Sequence, residues 1–272
     1  VATKTDRIRI EYDLTFESLW HCGTGIREVL IDRTVMRDSE QYLYVPGSTF
    51  KGVLREHCEH LARFFASNGE PIASPHDAEA ALLTIGSTRP DMITRIFGSQ
   101  TSPGQLFFDD ARHQEQSSLA QHNPEKDDYR GKGTYRGIQV MPYTQVRMNR
   151  PTRTAVPGAL YTSEFGASEL VFKGVIQGWL TCNAILADAH AVFEQAEQNG
   201  FMPTYSFLLL LAGLRLIERL GGNKSTGKGK CLCKITRVEL NGTECGEKTW
   251  LAWLEQIDVL DKYNHHNQSS EG

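Results

Sequence analysis

Apolar residues first recur at every second position. In RIRIEYDLTFE, Ile8, Ile10, Tyr12, Leu14 and Phe16 alternate with polar neighbours, the period of a half-buried strand. The period then changes. Pro46-Gly47 supplies a turn, Ser48 is a good N-cap, and Phe50, Val53, Leu54, Cys58, Leu61 and Phe65 recur at helical spacing. A helix is therefore predicted from Ser48 to about Ser67-Asn68-Gly69. The intervening Trp20 to Tyr44 reads as a long loop with a short extended piece, and loops of that length in compact domains are often functional.

Further on, residues 68 to 93 read as a loop with a short helix around Asp77 to Leu83. A strand is predicted at Gln105 to Asp109 and a stronger one at Glu169 to Thr181. Helices follow at about Ala187 to Asn199 and Thr204 to Leu220, the second stopped by Gly221-Gly222. KCLCKITRVEL is a strand, and Glu247 to Asp261 a terminal helix. The order strand, helix, strand, strand, helix, strand predicts an α+β fold, the split βαβ or ferredoxin-like arrangement. It implies an antiparallel sheet with both helices on one face and long insertions. Such a fold hosts many functions, so function has to be argued from sites.

Composition narrows the class. No apolar run approaches the roughly 20 residues of a membrane span, so no membrane partner is expected. VATKTDRIRI lacks an apolar signal core, which argues against secretion and for the cytoplasm, and the missing initiator Met points to processing or excision from a longer chain. The six cysteines show no CxxC pair. A zinc site from Cys231 and Cys233 with His21, Cys22 or His57 is the weaker reading beside reduced thiols.

A net charge of −4 argues against a protein that coats nucleic acid over its whole surface. The distribution matters more. No acidic residue occurs from Tyr129 to Ser163, while Arg130, Lys132, Arg136, Arg147, Arg150 and Arg153 all lie there. That strip reads either as a directional anion groove or as a solvated basic loop. Two further segments suit phosphate. GGNKSTGKGK, Gly221 to Lys230, satisfies most of the phosphate-loop pattern, yet Gly229 stands where the magnesium-binding hydroxyl belongs, and a helix precedes the loop instead of following it. Nucleotide hydrolysis is thus disfavoured, although free backbone N–H groups with Lys224, Lys228 and Lys230 can grip a phosphate backbone. The helix start at Ser48, with Lys51 one turn in and Gly52 beside it, offers a second such grip. Its plain alternative is an ordinary capped helix with a solvent-facing lysine.

VPGSTFKGVLR, IFGSQTSPGQLFFDDA and LGGNKSTGKGK, in that order, resemble the three signature segments of the RAMP superfamily, the repeat-associated RNA-binding proteins of CRISPR systems. GIREVLIDRTVMRD and VRMNRPTRTAVPGALYTSEFGASELVFKGVIQG look like the repeated backbone subunit of type III effector complexes. The likeness runs from about Arg7 to Leu240. It implies one RRM-related, ferredoxin-like RNA-binding domain over residues 1–262 and a flexible tail over 263–272. A thumb hairpin would occupy about 130–180, including the strand from Glu169. The partners implied are guide RNA, target RNA, neighbouring copies or paralogous RAMP subunits, and the large CRISPR subunit. Ser48, Lys51, Arg55, Arg147, Arg150, Arg153, Asn223, Lys224, Ser225 and Lys228 would meet the RNA backbone, and base pairing with the guide would supply specificity.

In cleaving members an aspartate in the loop after the first strand serves target-RNA hydrolysis. Ile31-Asp32-Arg33-Thr34-Val35-Met36-Arg37-Asp38 matches that context, so Asp32 would be the carboxylate. RNA carries its own nucleophile, and the protein has only to align it and place a carboxylate that takes the proton or binds Mg2+ or Mn2+. Arg33 or Arg37 would stabilise the phosphorane charge, and His21 would assist as acid or base. The alternatives are a catalytically inactive RNA-binding scaffold and a nucleotide-dependent enzyme. Trp179, Trp250 and Trp253 read as core or interface. In the Asp109-Asp110 pair, the first is expected to end a strand and bond backbone.

Overall fold

The protein, a computed structural model, is described over residues 3–27, 31–65, 91–99, 102–113 and 139–263. The helix predicted near Asp77, the cations Arg130, Lys132 and Arg136, and the segment beyond Tyr263 lie outside those residues. The strands are β1 (Thr3–Phe16), β2 (Tyr44–Val45), β3 (Leu106–Phe108), β4 (Ala111–His113), β5 (Val140–Asn149), β6 (Thr154–Gly166), β7 (Val171–Asn183), β8 (Cys231–Leu240) and β9 (Thr243–Glu244). The helices are α1 (Gly47–Phe65), α2 (Met92–Phe97), α3 (Ala191–Gln198), α4 (Tyr205–Arg215) and α5 (Glu247–Leu254).

The main sheet runs β2-β4-β7-β1-β8-β9, with β3 also on β7, and every pairing is antiparallel. The four core strands in chain order (β1, β3 with β4, β7, β8) therefore lie fourth-first-third-second across the sheet. With α1 after the first and α4 after the third, this is the ferredoxin-like connection the sequence predicts. The alternation in β1 buries Ile8, Ile10, Tyr12, Leu14 and Phe16 beneath the helices. There Tyr12 stacks on Phe50 of α1 with ring centroids 4.2 Å apart. Residues Tyr205 to Leu214 of α4 are all buried, and each large apolar side chain so placed contributes about 1.5–3 kcal/mol. The other sheet face is open. Trp179, read as core or interface, stands there half exposed opposite Arg7 of β1, while Trp250 and Trp253 are buried.

Several predicted boundaries are corrected. Helix α1 begins at Gly47, so Ser48 lies inside the first turn and is not the cap. The capping acceptor comes from elsewhere in the chain: Asp110 Oδ1 takes the Gly47 N–H at 2.9 Å. The second carboxylate of the Asp109-Asp110 pair, not the first, thus serves backbone, and Asp109 accepts from the Gln177 amide. Gly47 has no substitute, since a Cβ there would strike the Phe108 carbonyl. Helix α4 stops at Arg215, well before Gly221, because the Leu220 N–H bonds the Gly229 carbonyl and Cys231 N–H bonds Glu218. The terminal helix breaks after Leu254 into a 3-10 turn, Ile257–Asp261. Tyr263, assigned to the tail, is buried and receives a hydrogen bond from Arg95 Nε.

The strand from Glu169, predicted to belong to a thumb hairpin, does not. β5 and β6 form a separate antiparallel hairpin between β4 and β7. The strand beginning after Glu169 is β7, which pairs with β1 along its length in the core sheet. The acid-free cations Arg147, Arg150 and Arg153 sit on the hairpin, whereas the apolar alternation of β7 is that of a core strand.

Candidate nucleic-acid interface and cleavage site

The polar run after β1 lies along the hairpin. Asp32 and Arg33 N–H groups donate to the Thr162 carbonyl at 2.9 and 3.3 Å, the Glu164 N–H donates to the Arg33 carbonyl at 2.9 Å, and Arg33 pairs with Ser163 in a parallel bridge. One Asp32 carboxylate oxygen, Oδ2, accepts the Thr162 N–H at 2.9 Å. The other has no protein partner among the described residues. Glu164, 5% exposed, accepts the Val35 N–H at 3.2 Å on one carboxylate oxygen and the Arg37 guanidinium at 2.7 Å on the other.

Beside this segment opens a cavity of about 710 Å³. Asp32, Arg33, His21, Arg27, Arg147 and Tyr161 are among its lining residues, and the Arg33 guanidinium lies 5.8 Å from the Tyr161 ring. His21 Nδ1 is 2.8 Å from the Glu164 carbonyl, which can only accept. The ring proton therefore resides on Nδ1 and leaves Nε2 as the base of the neutral imidazole. One carboxylate, one histidine and three arginines in one lining can hold a phosphodiester, take a proton from a hydroxyl and stabilise added negative charge.

The glycine-rich loop reaches the same neighbourhood. Gly222 N–H bonds the His21 carbonyl and Gly229 N–H the Leu19 carbonyl, at 2.8 and 2.7 Å. Asn223, at φ 60°, turns the loop, and its carbonyl accepts from Thr226 and Lys228 N–H groups. Gly229 at φ 71° holds the exit, where a Cβ would strike the Leu220 carbonyl. Lys228 Nζ lies 5.2 and 5.3 Å from the Tyr143 and Phe165 rings at the hairpin base, a cation–π contact that docks loop to hairpin. Lys224 Nζ approaches Glu56 of α1 at 3.9 Å, and Ser225 is exposed. The loop thus adjoins α1, whose Ser48 and Gly52 are exposed on the same helical row as Glu56.

Two predicted ligands are engaged otherwise. Arg55, partly buried, is held by Glu59 at 2.7 Å and lies against Phe97. Lys51 sits 5.4 Å from the Phe108 ring, and burial, then the Arg55 charge, lowers its pKa. Arg150 and Arg153 lie at the hairpin turn, about 30 Å from its base at ~3.3 Å per residue. They are brought together with Arg147 along one projection and not with α1. Asp38 accepts N–H groups of Glu40 and Tyr42 and pairs with Arg112, which explains it as a turn residue. All six cysteines are buried and free, burial pushes Cys22 and Cys231 up to about 12, and the described residues contain no group of three His, Cys, Asp or Glu able to hold a metal.

Sequence reasoning missed Arg27, Tyr161 and Glu164. The last had a signal, being the first acidic residue after the acid-free run.

A RAMP superfamily model matches residues 13–232. Two solved structures are similar at 12% identity. One, of the type III-B Cmr-beta complex bound to cognate target RNA, gives a TM-score of 0.48 and covers 84% of this chain and 96% of that one. The other, the apo state of type III-B Cmr-beta, gives 0.44 and covers 84% and 97%. No curated protein matches the sequence. Among the described residues no helix is long and apolar enough to cross a membrane.

Proposed function

The chain belongs to the RAMP superfamily, and from that premise we propose that it is a guide-RNA-binding filament subunit of a type III CRISPR interference complex that cleaves guide-paired target RNA through Asp32. The observation that carries this reading is the cavity beneath the hairpin, where Asp32, His21, Arg27, Arg33 and Arg147 share one lining. A target strand following the hairpin cations would enter there. The 2′-hydroxyl of the nucleotide held in the cavity attacks the adjacent phosphorus and forms the O2′–P bond. Its proton passes to the uncommitted Asp32 oxygen, and the arginines offset the charge gathering on the phosphorane. The P–O5′ bond then breaks, and the leaving oxygen takes a proton from water. Products are a 2′,3′-cyclic phosphate and a 5′-hydroxyl.

Asp32 is the only carboxylate among the described lining residues, so it would hold a divalent ion only as a single anchor, through the oxygen that otherwise takes the proton. Mg2+ or Mn2+ held there would polarise the phosphate and ease ionisation of the 2′-hydroxyl.

The second reading, an inert scaffold of the same assembly, is favoured by the bonds from Asp32 to Thr162, which give the residue a structural purpose. Co-purification with sequencing of bound RNA tests the guide, and Asp32→Ala in the reconstituted complex tests the chemistry. Guide loading should persist while target cleavage stops. A chain that retains no RNA, or cleavage that continues unchanged, refutes the corresponding half.

A further inference from the structure

We propose that Glu164 is a positioning residue of the cleavage site, a buried carboxylate that holds Asp32 in place through Val35 and Arg37. The proposal rests on the reading of Asp32 as the cleavage carboxylate.

The segment bearing Asp32 has two tethers to strand β6. The first is Asp32 itself, bonded through backbone and carboxylate to Thr162. The second lies farther along, where Glu164 accepts the Val35 N–H and the Arg37 guanidinium. Thr162 acts through its backbone and Glu164, two residues on, through its carboxylate and backbone, so a single stretch of β6 acts as the template for the segment. The Glu164 backbone adds bonds to the Arg33 carbonyl and to His21 Nδ1. Those survive any side-chain replacement, which makes the carboxylate separable by experiment.

Without that carboxylate, the Val35 N–H loses its acceptor and Arg37 its counter-charge in a buried place. The far part of the segment would then keep its backbone bonds to Cys22 and Thr24 but lose its side-chain tie to β6, and Asp32 would sample positions around the in-line geometry. A shift of about 1 Å in a reacting group costs on the order of 100-fold in rate. A glutamine retains an acceptor oxygen for Val35 but not the charge for Arg37, so its effect should fall between those of glutamate and alanine.

The test uses the assembled complex carrying Glu164→Ala, Glu164→Gln, Asp32→Ala or the Asp32→Ala/Glu164→Ala pair. Single-turnover cleavage at saturating target is measured per guide-loaded complex, alongside hydrogen exchange of residues 31–38. Expected for Glu164→Ala is a cleavage step slower by about 10- to 100-fold, unchanged target affinity, and faster exchange across 31–38. Glu164→Gln should recover part of the rate, and the pair should cleave no more slowly than Asp32→Ala alone. A wild-type rate per loaded complex in Glu164→Ala, with Asp32→Ala inactive, would overturn the role of Glu164 alone. A wild-type rate in Asp32→Ala would overturn the cleavage reading and this proposal together. Should Glu164→Ala fail to load guide, a wild-type rate and wild-type exchange in Glu164→Gln would overturn it equally.

Discussion

Replacing Asp32 with asparagine separates chemistry from scaffolding. The amide keeps an oxygen for the Thr162 N–H, 2.9 Å from the present carboxylate, and leaves both backbone bonds to the Thr162 carbonyl intact. What is lost is the difference between a charged and a neutral acceptor, about 1 kcal/mol for hydrogen bonds generally, and less where water reaches this partly buried carboxylate. For a domain of this size that lowers the thermal midpoint by no more than about 2–4 °C. The proton acceptor disappears altogether, which costs about 10²- to 10⁴-fold in the cleavage step. Asp32→Ala should cleave as poorly but melt lower, because it also strands the Thr162 N–H. Single-turnover cleavage of guide-paired target and a melting curve read both quantities. Cleavage by Asp32→Asn within about threefold of wild type would refute the reasoning, since no residual base should then remain at Asp32.

Neutralising Arg147, Arg150 or Arg153 should weaken RNA binding for all sequences alike and lower the salt slope by roughly 0.7 for each single-strand phosphate that is no longer neutralised; titrations over a salt series check this, and an effect confined to particular bases contradicts it. Asp110→Ala removes the acceptor of the Gly47 N–H and should destabilise the fold by about 1 kcal/mol, visible as a lower denaturation midpoint with no change in its steepness. The thiols of Cys22 and Cys231 titrate higher folded than unfolded because burial disfavours the thiolate. Their contribution to stability is therefore full below the ordinary thiol value near 9 and is lost as pH rises towards about 12, so denaturation midpoints should fall across that window.

Much of the fold was written in local periodicity. The alternation of β1 and the helical spacing of α1 each declare a buried face without reference to the rest of the chain, and their order with the later elements leads to the ferredoxin-like connection. Boundaries failed where a distant partner intervened. Ser48 looked like a cap because its neighbours favour one, yet the acceptor for Gly47 is Asp110, which no local pattern connects to it. Apolar spacing carried α4 to Leu220, but pairing of residues 218–220 with 229–231 claimed that backbone for the turn.

The candidate site divides in the same way. Asp32, the hairpin cations and the glycine-rich loop could be proposed from sequence, because residue type and order suffice to mark carboxylate, positive strip and turn. That Lys228 docks on two rings, and that Glu164 binds Val35 and Arg37, are decided by contacts across long stretches of chain. The physical reason is range. Backbone preference and burial period act over a few residues and are readable in sequence, whereas the partner a charge finds depends on which segments packing brings within about 4 Å, and only the tertiary structure sets that.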